Sequence, residues 1–179
     1  MKFPSLKIGN FSVPLPIIQG GMAIRISTAP LAAAVARQGG IGIIAGTGMT
    51  VEELKNEIKR AKELAQGKGK IGVNVLFAVT NFASLIKEAM VSGIDLVIYG
   101  AGFSKDVFKM GKEYDCPVVP IVSSARLART SEKLGAAAIV VEGCEAGGHL
   151  GTDRSIKDIL PEVKKEVSVP VIGAGGVSS

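Results

Sequence analysis

Tryptophan is absent, and aromatic residues make up only 4% of the chain, so any core has to be built from aliphatic side chains. That suits buried parallel strands under Ala-rich helices. The two cysteines, Cys116 and Cys144, are too few and too far apart for a disulfide framework, and a single histidine offers them no partners for a zinc site. They read as the reduced thiols of a cytoplasmic protein. Long apolar runs are also missing. Residues 1–10 lack the apolar centre of a secretory signal, and no stretch reaches the roughly 18 apolar residues of a membrane span. Lysine clusters interleaved with aromatics are lacking too, which argues against nucleic acid as a partner despite a net charge of +5. The lysines are instead spread over helical segments such as Lys55 to Lys70, as on a solvated, salt-laced face. The positive balance favours small anionic ligands.

What is present is enough for one domain. The 179 residues are 47% hydrophobic, long enough for a sizeable core and too short for two ordinary domains. Short apolar, β-branched runs at Ile17–Ile18, Ile41–Ala45, Ile71–Phe77, Leu96–Tyr99, Val118–Val122, Ala138–Val141 and Val169–Ala174 predict seven buried strands. Between them lie six helical stretches. Ser27 is placed to cap the first, Ala29 to Gln38; Thr50 and Glu53 form a capping box for the second, which runs to about Gln66. Asn81 or Thr80, Ser104, and Asp153 or Ser155 head later helices, a further one covers Ala125 to Leu134, and Pro161 interrupts the last.

Strict β/α alternation means a parallel sheet with right-handed crossovers, either doubly wound or closed into a (β/α)8 barrel. Glycine follows nearly every strand, at Gly20, Gly46, Gly100, Gly143 and Gly175. A ring of Gly-rich loops at the strand ends fits a TIM barrel better than an open sheet, which concentrates its ligand loop at one switch point. Such barrels need about 250 residues. The expectation is therefore a barrel apparently truncated after the seventh strand, one incomplete domain over residues 1–179, with strand edges open to a second copy. The rival is a complete, smaller α/β domain.

Two features stand out inside that frame. The run from Ala138 ends at Glu142 and opens into a loop holding Gly143, Gly147, Gly148 and Gly151 around His149, the only histidine. Glycine lets backbone pass close to a flat ligand, and an imidazole beside it is a versatile acid, base or hydrogen-bond donor; a solvated side chain is the plainer alternative. Asn74 interrupts the third strand, so it either bonds neighbouring backbone or faces a ligand inside a barrel.

Five blocks, P-I-I-Q-G-G-M at 16–22, G-V-N at 72–74, V-P-I-V-S-S-A-R at 119–126, E-G-C-E-A-G-G-H-L-G at 142–151 and G-A-G-G-V at 173–177, together resemble the nitronate monooxygenase family, once called 2-nitropropane dioxygenases. Its members are FMN-dependent (β/α)8 barrels related to the flavin-dependent enoyl-acyl-carrier-protein reductases. The resemblance spans essentially the whole chain, and the E-A-G-G-H block is its most specific part. It implies that Gly21 and Met22 lie along the flavin, that Asn74 hydrogen-bonds it, and that Ser123 and Glu142 sit at strand ends near its ring or ribityl chain. Gly147 and Gly148 would let the loop pass the ring, with His149 beside the substrate, and Gly175 and Gly176 would offer amides to the FMN phosphate. The double glycine at 20–21 also occurs in the enoyl reductases, so that block does not separate the two activities. The implied function is oxidation of alkyl nitronates or nitroalkanes by oxygen with His149 as base. The alternatives are an NAD(P)H-dependent enoyl thioester reductase and, in another class, a non-catalytic truncated module.

Overall fold

The computed structural model describes residues 3–67, 69–148 and 151–177. An antiparallel hairpin comes first, β1 (Leu6–Ile8) and β2 (Phe11–Val13), with Leu6 opposite Val13. The sequence pattern does not mark this hairpin. Three residues per strand are too short for an alternation to show, and what defines the hairpin is tertiary. Ile8 and Val13 are buried among Ile41, Leu96, Val119 and Ala138, so the hairpin closes the end of the sheet from which the strands start.

The main sheet holds six parallel strands in strictly sequential order: β3 (Ile41–Ala45), β4 (Lys70–Leu76), β5 (Leu96–Gly100), β6 (Val118–Val122), β7 (Ile139–Glu142) and β8 (Val171–Ala174). The strand expected at Ile17–Ile18 is reduced to a parallel bridge, Ile18 to Ile41, extended by hydrogen bonds from Ile41 N–H to Ile17 O and from Gln19 N–H to Ile41 O. Pro14 and Pro16 limit what the ladder can use there. Seven neighbours therefore follow chain order with no reversal, which is the curl of a TIM-type barrel and not the switch-back of a doubly wound sheet.

Helices α1 (Ala29–Arg37), α2 (Val51–Ala65), α3 (Phe82–Val91), α4 (Lys105–Glu113), α5 (Ala125–Leu134) and α6 (Ile156–Glu166) provide the crossovers. Alternation along the strands divides the apolar residues into two layers. Ile71, Val73 and Val75 of β4 face the helices, whereas Ile43, Leu96, Ile98, Val119 and Val140 pack on the inner face. The alanines of α1 have a reason: a Cβ on Gly42 of β3 would lie 1.9 Å from the carbonyl oxygen of Ala32, so helix and strand backbones touch.

The capping box of α2 forms as read, Glu53 N–H donating to Thr50 Oγ1 (3.2 Å) and Thr50 N–H to Glu53 Oε2 (2.8 Å). Ser155 caps α6, its Oγ accepting from Lys157 N–H. Asn81 stands before α3 without capping it, and its Nδ2 donates instead to Met49 O. Ser27 is a correction. Thr28 holds the N-cap position of α1 without a side-chain bond, Glu57 of α2 accepts from Ala29 N–H at 2.6 Å, and Ser27 is fully buried elsewhere.

Candidate active site

In a parallel sheet all strand C-termini share one rim, so the residues that matter there are those whose side chains point inward at the last strand positions. Because Val73 and Val75 face the helices, Asn74 between them faces the interior, in register with Ala45 and Ile98. The same parity turns Glu142 inward at the end of β7, beside Ala174 of β8, since Ile139 and Val141 lie in the outer layer. Ser123 follows Val122, another outer-layer residue, and shares this inward set. Asn74 thus faces the barrel interior and not the helices.

Three groups of contacts build the rim. In the first, Gly21 lies directly on Asn74: a Cβ on Gly21 would come within 2.7 Å of Asn74 Cβ and 3.0 Å of its Nδ2. Met22 follows, 44% exposed. In the second, the loop after β7 packs on the turn after β8. Gly175 (φ +84°) would bring a Cβ to 2.5 Å from Ala146 N, and Gly176 (φ +63°) to 2.9 Å from Glu145 Cβ. Both the space and the left-handed backbone demand glycine there. In the third, Ser123 Oγ donates to Gly151 O (3.2 Å), tying the far end of the histidine loop to the end of β6. His149 itself lies outside the described residues, between Gly148 and Gly151.

The electrostatics of the rim are uneven. Glu142 is half-buried, and desolvation raises its pKa above the ordinary carboxylate value. Glu145, in contrast, is held down to about 2, first by the hydroxyl of Ser155 and then by the amide of Ile156, whose N–H lies 3.0 Å from the carboxylate. It pins the loop after β7 to the first turn of α6, a role that no sequence pattern marks. The free thiol of Cys144 in that loop is pushed up by desolvation and by Glu145, which makes it a poor nucleophile. At the opposite end of the barrel, a cavity between the hairpin turn and α4 is lined by Gly9, Asn10, Lys112 and Cys116. Burial drives the Cys116 thiol up to about 12, and nothing there converges on the rim.

The profile of the nitronate monooxygenase family matches residues 5–94 and 71–179. The chain belongs to that family. It is 30% identical over 164 residues to a hydroxy-methyl-oxo-octahydroindene-carboxyl-CoA dehydrogenase of Mycobacterium tuberculosis, a match covering 90% of this chain and 45% of the relative. A probable nitronate monooxygenase of Bacillus subtilis is 30% identical over 208 residues, covering 94% and 60%. Among solved structures, FabK from Thermotoga maritima superposes with a TM-score of 0.88 at 35% identity, covering 93% of this chain and 52% of that one. A nitroalkane oxidase from Streptomyces ansochromogenes gives 0.83 at 26%, covering 92% and 59%. The chain thus spans about half the length of the proteins it matches.

The flavin that the resemblance implies can be tested against this rim. A planar ring needs backbone without side chains along its path, and around Gly20, Gly147 and Gly148 a Cβ would meet nothing within 4 Å. Asn74 supplies a carboxamide from the barrel interior beside Gly21, and Gly175 and Gly176 supply main-chain amides at the end of β8. The residues present fit such a group.

Proposed function

We propose that this chain carries most of the mouth of an FMN-dependent oxidoreductase that oxidises alkyl nitronates, and nitroalkanes after deprotonation, with molecular oxygen. The observation that carries the reading is the family match over residues 5–94 and 71–179. When bound, FMN supplies the electron chemistry. The protein supplies orientation and proton handling. Asn74 and the Gly21–Met22 backbone hold the ring from one side, Gly147 and Gly148 let the opposite loop approach it, and the amides of Gly175 and Gly176 face the phosphate. Ser123 steadies the histidine loop through Gly151. Glu142 would stand at the strand end near the ring or ribityl chain, half-buried, with desolvation raising its pKa above the ordinary carboxylate value.

His149 is the base in this proposal. The carbon beside a nitro group is acidic, and an imidazole with an ordinary pKa of about 6.5 is suited to take its proton near neutral pH. The purified chain is reconstituted with FMN, and turnover is measured on a neutral nitroalkane and on its preformed nitronate. His149→Ala is expected to lower turnover of the neutral substrate by at least about a hundredfold, the usual scale for losing a general base, and to affect the nitronate far less. Equal losses on both substrates would remove the base role, and a chain that takes up no FMN would remove the whole reading.

A second reading has its own support. FabK is more similar in sequence than the nitroalkane oxidase, and the Mycobacterium tuberculosis relative is named for a carboxyl-CoA substrate. Reduction of an enoyl thioester by NAD(P)H would use the same mouth. Bleaching of bound flavin by NAD(P)H, reversed by crotonyl thioester, would select it over the oxidase.

A further inference from the structure

We infer that Ser27, together with Gln19, is a positioning pair that fixes the Gly20–Met22 backbone against Asn74 and thereby shapes the ring-facing side of the mouth. This rests on the flavin reading above. The argument begins where the first strand leaves the sheet. Gln19 N–H still donates to Ile41 O, but the next bond of that ladder is made by a side chain: Ile43 N–H donates to Gln19 Oε1 at 3.1 Å. The main chain is thereby released from β3 at Gly20 without leaving a buried amide unpaired.

Ser27 takes hold of the released segment. Its Oγ accepts from Met22 N–H (2.9 Å) and from Gln19 Nε2 (2.8 Å) and donates to Gly20 O (3.1 Å). One donor and two acceptors are all that a hydroxyl has, so every one is committed to this loop. The main chain of Ser27 closes the same loop, its N–H donating to Met22 O at 3.0 Å, while its carbonyl accepts from Ala45 N–H at the end of β3. Gln19 Nε2 also bonds Gly20 O. Both polar main-chain atoms of Met22 are thus bound to Ser27, and Gly21, between the held residues, is pressed onto the Asn74 side chain. A fully buried hydroxyl is costly to leave unpaired, and here it is spent on one of the segments that would meet the cofactor.

Removing the hydroxyl leaves α1 and β3 in place and frees the loop. The test compares wild type with Ser27→Ala and with Ile58→Val, which thins the outer core but removes none of the loop's hydrogen bonds. FMN affinity, the visible spectrum of the bound flavin, and amide hydrogen exchange at Met22 in the flavin-free protein are measured. Ser27→Ala is expected to bind FMN about tenfold more weakly, to shift the flavin spectrum and to speed exchange at Met22. Ile58→Val is expected to change none of the three. Should Ser27→Ala fail to fold, Gln19→Glu serves in its place, since it keeps the acceptor for Ile43 and loses both donors. Unchanged affinity and spectrum, with wild type binding FMN, would overturn the inference and leave the flavin reading standing. If wild type takes up no FMN, the flavin reading fails by itself, and the hold on the loop then stands or falls on whether Met22 exchange accelerates.

Discussion

Glu142 shows how far a single side chain is set by its surroundings. Strand alternation turns it inward and desolvation raises its pKa, so the folded protein binds that proton more tightly than the unfolded chain does. For a carboxylate raised in this way, the folded state is favoured least once the group is ionised. Its destabilising effect is absent below the ordinary carboxylate value and grows as pH rises from there through the raised one. Glu142→Gln removes that dependence. The variant is expected to melt within about 0.5 kcal/mol of wild type at acid pH and above it at pH 7, read from thermal unfolding across the range. A variant less stable than wild type at pH 7 would mean that Glu142 has a cationic partner in the folded state. At this scale Asn74 and Glu142 were legible as polar residues breaking apolar runs. Ser27 and Gln19 were not, because a serine two residues before a helix reads as a cap unless the buried loop beside it is known.

The elements themselves were read more securely, and for a physical reason: β-branched runs of four to seven residues between glycines, alternating with capped amphipathic segments, admit few other arrangements. What pattern could not show is which carboxylate steadies which loop. Glu145 joins the loop after β7 to the N-terminus of α6 through Ser155 and Ile156, and Glu132 of α5 accepts from Ser168 and Val169 just before β8. Both have lowered pKa values caused first by those serine hydroxyls. A carboxylate depressed to about 2 contributes its hold fully above the ordinary carboxylate range and loses it as pH falls toward 2. Glu145→Ala should therefore speed hydrogen exchange at the Ile156 amide at pH 7, and the gap from wild type should close as the solution is acidified over that window. A gap that persists at the acid end would assign the protection to packing of Gly176 on the loop instead of to the ionised carboxylate.

For the whole molecule the governing fact is an order of strands that advances by one neighbour at a time, and among the described residues β8 pairs with β7. Successive residues of a parallel strand bond to opposite neighbours. Pro170 O accepts from Ile139 N–H of β7, so residues 170, 172 and 174 address β7, whereas Val171 and Gly173 present their amides and carbonyls to the open side. At the other end of the sheet Ile17, beside the bridge to β3, is 54% exposed. Strand edges without a partner among the described residues are templates for another strand. The isolated chain is accordingly expected to self-associate, its weight-average mass in light scattering rising with concentration. Val171→Pro removes one outward amide and none of the bonds to β7, so it should lower that association while leaving the far-UV spectrum unchanged. A wild-type chain that keeps a constant monomer mass would show that the open side of β8 is not a pairing edge, and association that survives Val171→Pro would move the contact to another surface.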